Sequence, residues 1–265
     1  MSKKEKTRKR VLICTPTSAY KDYCLPQWAE SIKNLTYDAD LLIIDNSADK
    51  EHCKVFSKYD FGRKTFIASL PPSADDYDLR YTMCRCNNYA MNYSIENGYD
   101  YMMSIESDVI APIDNAIEIL LSHKKAVCGF AYFIGFYHNS KPIIESEFKI
   151  DSKHFVDYFS HDCYEQFFNF DGSLRKVPNL GLGFVLIDLR QVFSKIPKFR
   201  VSMDGFVLQK PSDKIHADTF FYVDLKSVGI DTYCDTRYIC RHLNKKWKNI
   251  WKQEEQRLTE TEISK

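Results

Sequence analysis

The 265-residue sequence lacks a long hydrophobic run: no stretch approaches the roughly 18 apolar residues needed to cross a membrane. An excess of one charge is also missing, with 37 Lys+Arg against 36 Asp+Glu. That balance excludes a protein that coats nucleic acid by bulk electrostatics. There are no internal repeats and no low-complexity tracts. The nine cysteines never show the paired two-residue spacing of common zinc sites, so buried reduced thiols are expected. After a basic start, the apolar run Val11 to Cys14 is stopped by Thr15-Pro16, too early for a signal-peptide core. A cytoplasmic location is therefore expected. What is present is ordinary globular composition, 44% hydrophobic and 28% charged, with its charges segregated. Residues 3–10 hold six basic residues against one acidic, and residues 241–252 hold five basic and none acidic. Each end carries +5, so an acidic body of −9 lies between them.

Apolar periodicity predicts an α/β chain. Residues 11–14 read as a buried strand ending in the loop TPTSAYKDY, and Leu25, Trp28, Ile32 and Leu35 follow at helical spacing. Strands are predicted over 41–47, 65–70, 99–109 and 126–134, and helices over 83–97 and 115–123, the latter capped by Asp114. Residues 136–176 read as a long excursion, followed by a strand over 180–189, a short helix, a helix over 216–229 and a strand over 230–242. The organisation expected is a basic arm over residues 1–10, one domain over 11–243 and a basic tail over 244–265. Alternating strands and helices imply a parallel sheet, whose ligands bind at the carboxyl ends of the strands. Thr15-Pro16, Asp45 and Glu106-Ser107-Asp108 all fall at such ends.

Glu106 and Asp108 carry the strongest chemical signal. Carboxylates closing an apolar strand pay a desolvation penalty unless paired or bound to a cation. Strand alternation sends both to one side, where their oxygens suit Mg2+ or Mn2+. Gly181-x-Gly183 heads a later strand and permits close backbone approach. Asp218 lies near the start of a helix whose apolar face carries Phe220, Phe221 and Leu225. Tyr132, Phe133, Phe136 and Tyr137 are candidates for an acceptor platform or for core.

The order of these elements resembles the nucleotide-sugar transferases of the GT-A type, with their Asp-x-Asp motif, over about residues 10–243. The resemblance implies a Rossmann-type mixed sheet flanked by helices, with an acceptor-side region toward the C-terminus. It implies that Thr15, Pro16 and Asp45 hold the nucleoside, and that Arg85 and Asn88 contact the nucleotide or brace its pocket. Glu106, Ser107, Gly181 and Gly183 are placed by it at the donor. Asp108 matches the metal-binding last acid of the motif, and His242 matches a late histidine that completes the metal site. The first acid is Glu106 rather than Asp, which puts its coordination in doubt. Asp218 resembles the general base of inverting members, although Ala217 replaces the preceding acid; inversion is favoured over retention.

The function expected is metal-dependent transfer of a sugar from a nucleotide-diphosphate donor, UDP-sugar by resemblance, to an acceptor hydroxyl. Acceptors in view are a glycan, a lipid-linked sugar or a hydroxymethylated base in DNA, as in viral DNA modification. The basic ends, with Trp247 and Trp251 among lysines, read as a solvated face, a nucleic-acid surface or a peripheral membrane contact. The alternatives are a nucleotidyltransferase, for which the first loop lacks the glycine-rich character, and a non-catalytic nucleotide-sugar or glycan-binding protein.

Overall fold

A computed structural model describes residues 8–74, 76, 79–136, 139–142, 149–151, 154–156, 172–178, 180–201 and 217–243. The basic tail, most of the N-terminal arm, His216 and Tyr137 lie outside them, as do the side chains of Phe133 and Phe136. Strands β1 (Val11–Thr17), β2 (Asp40–Asp45), β3 (Thr65–Ser69) and β4 (Tyr101–Ile105) are parallel to one another. After β4 come β5 (Val109–Ile110), β6 (Val127–Phe136), β7 (Asn139–Pro142), β8 (Lys149–Asp151), β9 (His154–Val156), β10 (Leu174–Val177), β11 (Phe184–Asp188) and β12 (Thr232–His242). The main sheet runs β10-β12-β6-β11-β4-β1-β2-β3, with β5 on β12 and β7 on β6; β8 and β9 pair separately. The α/β mixed sheet expected from the sequence is the one observed.

Alternation within the strands builds two cores. Leu12, Cys14, Leu42 and Ile44 face α2 (Leu79–Glu96), α4 (Leu189–Phe193) and α5 (Ala217–Ser227). Val11, Ile13, Leu41 and Ile43 face α1 (Leu25–Asn34) and α3 (Ala116–Ser122). A sheet covered on both faces explains why its central strands read as continuous apolar runs.

The strand pairing sets where polar ends meet. Thr17 lies opposite Asp45, which lies opposite Ser69, so three strands end on one edge. β11 enters antiparallel beside β4 with Phe184 opposite Ile105, bringing Gly183 to the same edge. β12 runs parallel to β6, with a register shift between Cys234 and Ile239, and its end pairs His242 with Val109.

Several boundaries differ from the sequence reading, among them the strand expected over 180–189, which begins at Phe184. β1 continues through Pro16 to Thr17, because its pairing with β4 stops at Cys14 and leaves that side without a ladder to break. β4 ends at Ile105, so Glu106 and Asp108 do not alternate on a strand. They lie in a turn closed by the Val109 amide donating to the Glu106 carbonyl at 3.0 Å. Helix α2 begins at Leu79 rather than at residue 83, adding one turn. Asp114 does not cap α3: Asn115 holds the cap position, and the Asp114 carbonyl accepts from Thr36. Within the expected excursion over 136–176, the described residues form β7, the β8–β9 pair and the start of β10.

Arg63 shows how one side chain fixes the α1–β2 connection. Its Nη2 donates to the carbonyls of Ile32 (2.6 Å) and Leu35 (2.9 Å) at the end of α1, where helical carbonyls run out of intrahelical i+4 partners. Nη1 reaches Tyr37 at 3.3 Å and Ala39 at 3.4 Å. Charge-assisted bonds to part-buried carbonyls predict that Arg63→Met costs about 2–3 kcal/mol. Urea denaturation checks this, and a loss within error of zero would contradict it.

Candidate active site

Asp108 is 1% exposed at the carboxyl edge of the sheet. Its Oδ2 accepts from Lys21 Nζ and lies 3.3 Å from His242 Nε2. Its Oδ1 is buried with no hydrogen-bond partner among the described residues. The turn is held from three directions. The Asp108 carbonyl accepts the Leu243 amide at 2.7 Å, and the Leu243 carbonyl accepts Tyr23 Oη at 2.9 Å. Thr17 Oγ1 donates to Ser107 Oγ at 2.9 Å, and Cys24 Sγ lies 3.1 Å from the Ser107 carbonyl. Ser107 is thus buried within the turn's support.

Donor atoms of Glu106, Asp108 and His242 all lie within 4.8 Å of one another, so the three can hold one divalent cation. Two carboxylates and an imidazole fit Mn2+ or Mg2+. The buried Asp108 Oδ1 supports this fit, because a desolvated carboxylate oxygen without a donor is unfavourable. Burial, reinforced by Asp108, pushes the Glu106 carboxyl up to about 7. Burial acts in the same sense on Asp108, but His242 and Lys21 outweigh it and hold that carboxyl below its ordinary value. Burial would lower Lys21, yet Asp108 keeps its ammonium above the usual lysine value.

Gly183 sits behind this group. Its carbonyl accepts the Glu106 amide at 3.0 Å, and its own amide donates to Tyr132 Oη at 3.2 Å. A Cβ at this position would lie 2.6 Å from Tyr132 Cζ. Gly181 is buried in the same lead-in to β11, and the Leu182 carbonyl accepts Ser104 Oγ at 2.6 Å. Tyr132 is 3% exposed and meets the His242 ring edge-on at 5.3 Å, so it lies beneath the metal-ligand group rather than on an open platform.

A cleft of about 90 Å³ opens beside Glu106 and contains Asp218, from the first turn of α5, together with Pro16 and Ser104. Arg80, Met83 and Asn87 line its other wall from one face of α2. The sequence reading missed Arg80, since it started the helix at residue 83; the 80/83/87 spacing was the available signal. A larger cavity of about 550 Å³ lies at the opposite edge of the sheet, against Lys124, Lys125, Arg190 and Lys195. Glu106 and Asp218 face the smaller cleft.

The remaining sequence candidates fall around it. Asp45 is 1% exposed, and both its oxygens are engaged. Oδ1 accepts from the Ser47 amide and Oγ at 3.0 and 2.6 Å, and Oδ2 lies 3.0 Å from His52 Nδ1. His52 Nε2 then meets Asp22 at 2.9 Å. Thr15 is fully buried, and its Oγ1 has no partner among the described residues. Arg85 contacts Asp76 and the Pro71 carbonyl, bracing the loop ahead of α2. Asn88 pairs with both the amide and the carbonyl of Phe199, at 2.8 and 2.9 Å.

No protein-family model and no curated protein matches this chain. Among solved structures, it is similar to mannosyltransferase PcManGT from Pyrobaculum calidifontis in complex with GDP-Man and Mn2+. Identity is 11% and the TM-score 0.55, over 92% of this chain and 60% of that one. The chain thus spans under two thirds of that protein's length, and the likeness is one of fold. A197 from STIV also matches, at 15% identity and TM-score 0.47, over 89% of this chain and 86% of that one. The mixed α/β sheet anticipated in the sequence agrees with the fold shared with the mannosyltransferase.

Two outcomes are expected. Burial lowers His52, but its bonds to Asp45 and Asp22 prevail and raise it above its ordinary value. Protonated His52 is therefore favoured by folding. Its stabilisation is complete below the unfolded value of about 6.5 and is lost as pH rises through the raised value. In Asp45→Asn the His52 NMR titration shifts to lower pH; an unchanged titration contradicts the network. Gly183→Ala is expected to cost about 1–3 kcal/mol through overpacking against Tyr132. Equal urea midpoints for variant and wild type would show that the contact is not tight.

Proposed function

We propose that the chain is a divalent-metal-dependent glycosyltransferase that moves a sugar from a nucleoside-diphosphate donor to an acceptor hydroxyl. The observation that carries this reading is the buried Asp108 Oδ1 without a donor, set among Glu106 and His242 at the carboxyl edge of this fold. The mannosyltransferase neighbour, solved with GDP-Man and Mn2+, supports the class of donor and ion. Residues 11–243 form the catalytic domain in this reading.

A divalent ion at this site supplies neutralisation of the departing diphosphate. Glu106, Asp108 and His242 hold it, with the turn at 106–109 fixed by β12 and Gly183. Tyr132 orients His242 through ring contact, and its hydroxyl bonded to Gly183 keeps the backbone in place. Asp218, half-buried in the same cleft as Glu106, is the candidate base that takes the acceptor hydroxyl proton. Pro16 and Arg80 line the donor side, and the Asp45–His52 network shapes the nucleoside side.

Release of nucleoside diphosphate from UDP-glucose, UDP-N-acetylglucosamine and GDP-mannose, with Mn2+ or EDTA, tests the reading. Metal-dependent release is expected with at least one donor, and Asp108→Asn lowers it by about 100-fold or more. Asp218→Asn lowers transfer by about 10²–10⁴-fold while donor binding persists. Glycan, lipid-linked and hydroxymethylated-DNA acceptors, assayed separately, identify the acceptor. Absence of release from every donor, in wild type as in Asp108→Asn, overturns the reading.

A further inference from the structure

Lys21 did not figure in the sequence reading, yet its side chain reaches the most buried acid of the site. It closes the 3-10 turn Ala19–Lys21 between β1 and α1. Its backbone is pinned: its amide donates to the Ser18 carbonyl at 2.8 Å, and its carbonyl accepts from the Cys24 amide at 3.0 Å and Cys24 Sγ at 2.8 Å. The side chain keeps 31% of its surface exposed, and its ammonium reaches Asp108 Oδ2. The next residue, Asp22, reaches the other way, to His52 and through it to Asp45. The Ala19 amide donates to Ser47 Oγ, which also bonds Asp45. One short segment therefore touches both the metal-ligand group and the Asp45 network.

Charge accounting gives this contact a purpose beyond support. Glu106, Asp108 and Asp218 bring three carboxylates to a site where Lys21 supplies a permanent positive charge. With Arg80 also lining the cleft, a divalent cation and Lys21 leave the site one charge positive, and without Lys21 it is neutral. A nucleoside diphosphate brings further negative charge, which the added positive charge of Lys21 attracts. Lys21 also shares Asp108 Oδ2 with His242, so its ammonium stands beside one of the proposed metal ligands.

We propose that Lys21 is a diphosphate-binding residue that serves as the counter-ion of Asp108 until the donor arrives. In the donor-free protein the ammonium neutralises Asp108, and with donor bound it exchanges Asp108 Oδ2 for a diphosphate oxygen. This assignment rests on the reading of the site as a donor diphosphate site. It predicts opposite effects on two ligands. Lys21 competes with a divalent ion for Asp108, so it weakens binding of the ion alone; it strengthens binding of the nucleoside diphosphate. A purely structural lysine moves both affinities in one direction.

The test uses the full chain, with Lys21→Gln and the charge-preserving Lys21→Arg. Thermal melting confirms that both fold. Mn2+ affinity is read by electron paramagnetic resonance without nucleotide, and UDP and GDP affinities by calorimetry at saturating Mn2+. In Lys21→Gln, Mn2+ alone is expected to bind about tenfold tighter and the bound nucleotide about tenfold weaker. Lys21→Arg is expected to keep nucleotide affinity within about threefold of wild type. If Mn2+ and nucleotide weaken together, or neither changes, the Lys21 assignment is wrong while the metal site stands. A wild-type protein that binds neither Mn2+ nor either nucleotide overturns the site reading itself.

Discussion

A carboxylate at 1% exposure stays ionised only when positive charge is brought to it, and Asp108 organises the surrounding chain on that condition. The charge comes from two places far apart in sequence. Lys21 arrives from the β1–α1 connection, and His242 from the end of the last described strand. His242 meets Asp108 only because β12 returns parallel to β6 and its end pairs with β5. The carbonyl of Asp108 then takes the Leu243 amide, and Tyr23 Oη closes the loop onto Leu243. Sheet order and site electrostatics are therefore one constraint: a shift in β12 would strand a buried acid.

The rest of the site follows from how this turn is backed. Glu106 leaves the ladder because β4 ends, and the Gly183 carbonyl from the antiparallel β11 takes its amide. The glycine lets Tyr132 approach, and Tyr132 presents its edge to His242. On the other side, Asp22 and Lys21 are consecutive residues that serve different acids. Charge at Asp108 and charge at the Asp45–His52 pair thus pass through one short piece of backbone. Local burial lets these interactions count for more than surface pairs of the same geometry.

Much of this was legible in the sequence where the signal is local. Apolar runs at 11–14 and 41–44 fixed two buried strands, and the spacing of Leu25, Trp28 and Ile32 fixed α1. Glu106 and Asp108 stand out from their position at a strand end and His242 from the family resemblance, and the three do come together. The reason given for Glu106 and Asp108 was incorrect, since a turn and not strand alternation puts them side by side. Lys21, Asp22 and His52 escaped notice because each is a common polar residue in a loop. Their meaning depends on partners 87, 30 and 7 positions away. The antiparallel insertion of β11 between β4 and β6 has no local signature either, because an apolar strand reads alike in both directions. Asp45, which the resemblance places at the nucleoside, bonds Ser47 and His52 in a network that composition does not reveal.

The central claim is that a divalent ion binds at Asp108, and anomalous scattering from crystals grown with Mn2+ tests it most directly. The account predicts one strong manganese peak at bonding distance from the oxygen now lacking a donor, Asp108 Oδ1, with His242 among the ligands. A peak elsewhere on the molecule, with Asp108 still bonded only to Lys21 and His242, would contradict it.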